Sequence, residues 1–184
     1  DLQGYLRGHK ADLDQFRLSG PFVVTVQDDY EIRVSTTELI KTDLFLSAHV
    51  EKAPLIIILH GYGNSKESHT FQAMHLASWG MHCLAVQLPN KGPWVGNGRT
   101  LAKIVKFVHE WPEIIDSRID VNKIIVAGHS FGGASAAIAL AEGAPAVGAI
   151  LLDPAFTGRN LQQYLTRINT PVMLLGADQH YSST

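Results

Sequence analysis

Cysteine is almost absent from this sequence. Cys83 is the only cysteine among 184 residues, so no internal disulfide can form, and its apolar neighbours indicate a buried strand residue. One thiol cannot build a thiolate metal site, and no H-E-x-x-H spacing occurs. A glycine-rich phosphate-binding loop is missing as well. The sequence therefore implies neither a metal nor another cofactor.

The sequence also lacks a large excess of positive or negative charge. The formal net charge is −2 and Lys and Arg form no cluster, which argues against a nucleic-acid partner. The apolar runs are too short to cross a bilayer, and no basic-then-apolar leader opens the sequence. We expect a soluble protein. The first residue is Asp1 rather than Met, so the sequence does not determine whether the protein is exported or cytoplasmic. The sequence does not determine the oligomeric state either.

Apolar residues are plentiful, since 46% of the chain is hydrophobic. This content suits one globular domain over residues 1–184 with a sizeable core. After a predicted surface helix and turn in residues 1–20, β-rich segments alternate in part, which favours antiparallel strands. These segments are residues 22–26, 31–36 and 42–50. Residues 54–59 are continuously apolar, which is typical of a central strand covered on both faces.

Helices and strands alternate after residue 60. The predicted elements are a helix at 64–79, a strand at 83–88, a turn-rich loop at 89–98, a helix at 100–111, a strand and helix within 123–140, a strand at 146–152, a helix at 160–168 and a strand at 171–175. This alternation predicts a parallel sheet with helices on both faces. Ligands should bind beyond the carboxyl ends of its strands. Chemically capable groups follow three such ends: His60-Gly-Tyr-Gly63, Ser130 and Asp153.

Residues 128–132 carry a Gly-x-Ser-x-Gly motif between an apolar strand and an alanine-rich helix. A nucleophile elbow needs this context, because its strained turn lifts the serine hydroxyl above the sheet edge. Gly128 and Gly132 leave space for neighbouring backbone, and Gly133 lets the helix lie close to the strand. Ser130 is then predicted at a helix N-terminus, where free N–H groups favour an oxyanion.

The chain resembles the α/β hydrolases from about residue 22 onwards, on the strength of His60-Gly-Tyr-Gly63 and Gly128-His-Ser-Phe-Gly132. The resemblance implies an α/β-hydrolase fold, with backbone N–H groups of Tyr62 and Phe131 forming the oxyanion hole. Gly128–Ala134 and Ile150–Pro154 are most similar to the branch of platelet-activating-factor acetylhydrolases, chlorophyllases and bacterial esterases. Bacterial polyester hydrolases and dienelactone hydrolases share much of the pattern, so the substrate does not follow from the fold.

A serine nucleophile needs a histidine base and a carboxylate that orients the histidine. The family order is Ser, acid, His, which implies Asp153 or Asp178 as the acid. Asp153 is favoured because it follows an unbroken apolar strand and precedes Pro154, which fixes the turn. His180 is the only histidine after these acids, but its loop normally carries the acid. We therefore expect the last strand and helix of the fold, and the catalytic histidine, to lie outside this chain.

Four side chains near the strand ends are candidates for the substrate pocket: His60, Tyr62, Trp94 and His129. Trp94 either lines the pocket or pins its loop, and His129 is better explained as a packed elbow residue than as a base. The leading interpretation is a cofactor-free serine hydrolase that acts on a small ester or lipid-like substrate through an acyl-enzyme on Ser130. The alternatives are acyl transfer to an acceptor other than water, and a non-catalytic protein that binds a small apolar ligand or a partner.

Overall fold

A seven-stranded sheet forms the centre of the computed structural model, which describes residues 13–89, 94–157 and 161–177. The strands are β1 (Val24–Arg33), β2 (Leu39–Ser47), β3 (Ala53–Leu59), β4 (His82–Val86), β5 (Ile119–His129), β6 (Gly148–Leu152) and β7 (Val172–Leu175). Their order across the sheet is β1-β2-β4-β3-β5-β6-β7. The pairs β1–β2 and β2–β4 are antiparallel, and the other neighbouring pairs are parallel. The predicted mostly parallel α/β sheet is confirmed.

The first strand differs from the prediction. Where the sequence predicts two strands, at 22–26 and 31–36, the structure has the single strand β1. Its pairing with β2 shifts register between Gln27 and Tyr30 and then continues, and Asp29 has a φ of 51° within this bulge. A bulge interrupts the alternation of side chains without ending the strand, which explains why the pattern reads as two segments.

Within the described residues, four α-helices connect the strands: α1 (Thr70–Ser78), α2 (Trp94–Glu110), α3 (Phe131–Ala141) and α4 (Gln162–Leu165). A separate 3₁₀ turn at Lys66–His69 precedes α1. The helix predicted at 64–79 thus starts later, at Thr70, and the predicted boundaries of two further helices are wrong. Helix α2 already begins at Trp94, inside the predicted loop 89–98, and α4 is shorter than the helix predicted at 160–168, whose first residue lies outside the described part of the chain.

The central strand β3 is buried on both faces, as its continuous apolar sequence predicts. Leu55, Ile57 and Leu59 pack with residues of α2 and α3. Ile56 and Ile58 point to the opposite face and pack with α1. Full burial of such a side chain contributes about 1.5–3 kcal/mol relative to exposure. This core fixes the carboxyl end of β3, where the His60 turn begins.

Strand β7 forms one edge of the described sheet. All four of its residues, Val172–Leu175, are exposed. The expected further strand and helix after β7 stay a prediction, as does the assignment of residues 1–184 to one domain. No helix in the described ranges is both long and apolar enough to span a membrane.

Candidate active site

Ser130 lies at the sharp turn between β5 and α3. Its backbone has φ 53° and ψ −122°, and a positive φ costs a non-glycine residue on the order of 1–3 kcal/mol. Three backbone hydrogen bonds hold this conformation: the Ser130 N–H donates to the Leu152 carbonyl oxygen at 3.0 Å, and the Ser130 carbonyl oxygen accepts from the N–H groups of Ala155 at 3.0 Å and Ala134 at 3.2 Å. The residue is partly exposed. This is the strand, strained turn and helix that a nucleophile elbow requires.

The glycines of the motif are required by close backbone contacts. A Cβ on Gly128 would overlap the backbone of Gly132, and a Cβ on Gly132 would overlap the carbonyl oxygen of Leu59. A Cβ on Gly133 would lie 3.0 Å from the Cβ of Pro154. Because only glycine lacks this atom, these positions let the elbow approach both β3 and the turn after β6.

The turn of residues 60–63 lies directly against the nucleophile. A Cβ on Gly61 would be 3.1 Å from the Cβ of Ser130 and 3.3 Å from Nδ1 of His129. The Asn64 N–H donates to the Gly61 carbonyl oxygen at 3.3 Å and closes the turn, and Gly63 supports it with a φ of 72°. The two sequence motifs therefore meet at one point of the sheet edge.

The two segments expected to supply the oxyanion hole flank this point. Phe131 is the first residue of α3, so its N–H belongs to the group of helix N-terminal donors that have no partner within the helix. Tyr62 follows Gly61 in the turn, and its side chain is 63% exposed. The donation of both N–H groups to an oxyanion stays a prediction.

His60 is engaged in holding the turn. The residue is 3% exposed. Its Nε2 lies 3.0 Å from Nε2 of Gln87 and 3.4 Å from the Leu88 N–H, and both of these groups donate. Nδ1 therefore carries the proton, and it donates to the Gly61 carbonyl oxygen at 2.9 Å. Since both ring nitrogens are occupied, His60 orients the turn that contacts Ser130.

Asp153 follows β6, the strand beside β5. His129 pairs with Leu152 in register, so Asp153 comes next to Ser130 at the same sheet edge. Its backbone has a φ of 42°, and its N–H donates to the Leu175 carbonyl oxygen at 2.6 Å. The carboxylate is exposed and accepts from the Ala177 N–H at 3.4 Å. The competing acid Asp178 and the candidate base His180 lie outside the described residues.

His69 is a buried histidine that the sequence does not single out. It is 5% exposed, its ring centroid lies 6.4 Å from that of His129, and neither ring nitrogen has a hydrogen-bond partner within the described part of the chain. Burial, followed by the nearby His129 and His60, lowers the pKa of His69 to about 4. The ring is therefore neutral at pH 7, beside the residue that precedes the nucleophile.

No histidine hydrogen bonds to Ser130 or Asp153 within residues 13–89, 94–157 and 161–177. The expectation of a histidine base beyond the described residues stays open. The same ranges contain no group of three or more His, Cys, Asp or Glu side chains that could hold a metal ion.

Three aromatic side chains, Tyr62, Trp94 and Phe131, form a cluster beside Ser130, here called the aromatic cluster. The Trp94 ring stacks on Phe131 with centroids 4.2 Å apart and planes 12° apart. The Tyr62 ring meets both edge-on, with centroid distances of 5.9 Å to Trp94 and 6.4 Å to Phe131. Trp94 is thus anchored at the start of a helix.

Comparison with known protein families identifies the family of this chain. A model of the α/β hydrolase family matches residues 56–183, which is more than half of the chain. The chain belongs to the α/β hydrolase family. No curated protein matches it. For this α/β hydrolase, the matched region contains the turn of residues 60–63, the elbow and Asp153, and the fold is of a kind that acts on small molecules.

Sequence reasoning located the α/β hydrolase motifs but missed His69 and the stacking of Trp94 on Phe131. His69 lies in a polar segment whose sequence gives no sign of burial. Trp94 and Phe131 are far apart in the chain, and only the packing of α2 on α3 brings them together. The sequence signal for this packing is Gly98, which lies in the predicted loop 89–98. A Cβ at this position would lie 2.5 Å from the Cβ of Ile138 in α3, so the close approach of the two helices requires glycine.

Proposed function

We propose that this α/β hydrolase is a serine hydrolase that cleaves a carboxylic ester through an acyl-enzyme on Ser130. The single observation that carries the proposal is the strained backbone of Ser130, with φ 53°, at a strand-to-helix turn whose neighbours are a glycine turn and a helix N-terminus. Strain of this kind persists where the surrounding structure enforces it, and it exposes the hydroxyl for attack.

The proposed reaction uses the backbone of both motifs. Ser130 Oγ attacks the ester carbonyl as a base takes its proton, and the negative charge on the carbonyl oxygen is stabilised by the N–H groups of Tyr62 and Phe131. The alcohol leaves with a proton from the base. Water then attacks the acyl-enzyme by the same route and releases the acid.

The proposed acid is Asp153, with Asp178 as the alternative, and the proposed base is a histidine outside the described residues. Asp153 is supported by its place at the end of β6, immediately beside the elbow strand. Its exposed carboxylate accepts one bond, at 3.4 Å from the Ala177 nitrogen, so it has capacity to accept a histidine N–H as well.

A second candidate is a non-catalytic binding protein on a hydrolase scaffold. The observation that favours it is that no described histidine reaches Ser130. An inactive scaffold would bind a small apolar ligand without forming a covalent bond to the serine.

Labelling with a fluorophosphonate separates the two candidates, because only an activated serine reacts quickly. The natural full-length protein should be labelled at Ser130, as identified by mass spectrometry, and Ser130→Ala should abolish the label. Ser117→Ala is the matched control, since Ser117 is exposed and lies before β5. Absence of labelling, or labelling at another residue, would overturn the enzyme proposal.

A further inference from the structure

The aromatic cluster places one exposed ring beside the nucleophile. Tyr62 is 63% exposed although it contacts both other rings. It follows Gly61, where a Cβ would lie 3.1 Å from the Cβ of Ser130. A large exposed aromatic ring therefore lies one residue from the point of attack.

The positions of the other two rings, Trp94 and Phe131, are set by contacts between α2 and α3. Ser135 Oγ, fully buried in α3, lies 2.9 Å from the Phe131 carbonyl oxygen and 3.2 Å from the Trp94 carbonyl oxygen. A Cβ on Gly98 would lie 2.5 Å from the Cβ of Ile138 in α3, so the helix that carries Trp94 packs closely on α3 at this glycine. The stacked pair is thus fixed by the packing of two helices.

Because Trp94 and Phe131 pack on each other, Tyr62 is the ring of the cluster that a ligand can contact. Its contacts with Trp94 and Phe131 are at interplanar angles of 89° and 80°, so both neighbours brace it edge-on. Neither neighbour stacks on its face in parallel. Aromatic rings prefer offset-stacked or edge-to-face partners at centroid distances of about 4.5–7 Å. A flat group of a substrate held at Ser130 can make such a contact.

We propose that the aromatic cluster is a binding site for a flat apolar group of the substrate, and that esters with an aryl group near the scissile carbonyl are the preferred class. This inference rests on the proposed function. Tyr62 contributes the contacting ring, and the stack of Trp94 on Phe131 holds it in place. The group recognised belongs to the acyl or to the alcohol side of the ester.

The test compares matched esters in the natural full-length protein. One pair is the 4-nitrophenyl esters of 3-phenylpropionic and 3-cyclohexylpropionic acid, which have the same carbon number and no ring conjugated with the carbonyl. The other pair is benzyl acetate and cyclohexylmethyl acetate. Wild type should show a higher kcat/KM for the aryl member of at least one pair. In Tyr62→Leu this aryl preference should fall about three- to tenfold, the size expected for one aromatic contact.

Three further variants test whether the effect is specific to the aromatic cluster. Trp94→Leu should also lower the aryl preference, whereas Trp94→Phe should retain most of it. Trp111→Leu is the matched control, because Trp111 is 53% exposed and lies beyond the other end of α2. The ratio within each pair is independent of enzyme concentration, so partial unfolding of a variant does not affect it.

The outcomes distinguish this inference from the proposed function. Turnover that Ser130→Ala does not abolish would overturn the proposed function, and the inference with it. Turnover that depends on Ser130 but shows no aryl preference, or a preference unchanged in Tyr62→Leu, would overturn the inference alone.

Discussion

Gly132 of the nucleophile elbow lies against the carbonyl oxygen of Leu59 at the end of β3, so closely that a Cβ on Gly132 would overlap this oxygen. Both partners are backbone, in a central strand and in the first turn of a buried helix, and neither can move aside. The motif glycine is therefore a structural requirement of the joint between two core elements, whatever the protein catalyses.

Gly132→Ala should destabilise the protein by about 3 kcal/mol, because the added methyl forces the elbow away from β3. Urea unfolding followed by circular dichroism measures this as a lower midpoint with an unchanged slope. Gly176→Ala is the control, since a Cβ at Gly176 meets no atom within 4 Å, and its change should stay within about 0.5 kcal/mol. Equal midpoints for the two variants would contradict the packing argument.

Lys66, in the 3₁₀ turn that follows residues 60–63, forms ion pairs with three carboxylates, of which only that of Asp43 is buried. Its Nζ lies 2.7 Å from Asp43, 2.7 Å from Glu67 and 3.2 Å from Asp29. Burial alone would lower the pKa of Lys66, but its hydrogen bonds, first to Asp43 and then to Glu67 and Asp29, outweigh this and raise the pKa. Asp43 is 2% exposed, so it depends on Lys66 for its charge balance.

Lys66→Met should cost about 3–5 kcal/mol of unfolding free energy, because it leaves the buried Asp43 carboxylate unpaired. Lys66→Met combined with Asp43→Asn should recover most of this loss, since the Asn carbonyl oxygen can still accept the Asp29 N–H that Asp43 accepts at 3.0 Å. Chemical unfolding of both variants checks the prediction. A double variant no more stable than Lys66→Met would show that the loss comes from packing.

His69→Leu should raise stability at pH 7 and reduce its dependence on pH. The folded pKa of about 4 lies below the ordinary value of 6.5, so between these pH values the unfolded chain binds the proton first and stability falls as pH falls. Leucine removes this loss, about 2–3 kcal/mol at pH 4.5, and also removes two buried nitrogens that have no hydrogen-bond partner within the described part of the chain. Thermal unfolding at pH 7 and pH 4.5 measures both effects.

The control for this change is His49→Asn. His49 is exposed with a φ of 60°, a conformation that Asn tolerates, so the variant should unfold at nearly the wild-type temperature at pH 7. If His69→Leu unfolds at lower temperature than wild type at pH 7, the ring has a bonding partner that leucine cannot replace.

The elbow and β3 could be predicted because their signals are local. The spacing of Gly128, Ser130 and Gly132 and the unbroken apolar run of β3 each describe contacts that any such fold must make. The start of α2 could not, because Gly98 disfavours a helix by about 1 kcal/mol relative to alanine and signals a loop. Packing of Gly98 against Ile138, together with the bond from Asn97 to the Pro89 carbonyl oxygen, outweighs this preference. Contacts between segments that are distant in sequence cannot be predicted from either segment alone.

The choice of acid is the prediction that best probes the proposed mechanism. Asp153 follows the strand beside β5, and the turn after it is tied to the elbow by the Ala155 N–H and by Pro154 against Gly133. An orienting acid must hold the histidine in one tautomer, and its replacement by asparagine lowers kcat about 10⁴-fold in the triad precedent.

Asp153→Asn in the natural full-length protein should therefore lower kcat on a 4-nitrophenyl ester about 10⁴-fold with little change in unfolding midpoint, because an exposed carboxylate contributes little to stability. Asp178→Asn is the matched variant and should stay near wild type. Asparagine preserves the shape of the side chain, so a selective loss reports on charge and tautomer rather than on packing. If kcat collapses in Asp178→Asn and not in Asp153→Asn, the acid follows β7 instead of β6. The Asp153 carboxylate would then serve only to accept the Ala177 N–H and close its own turn.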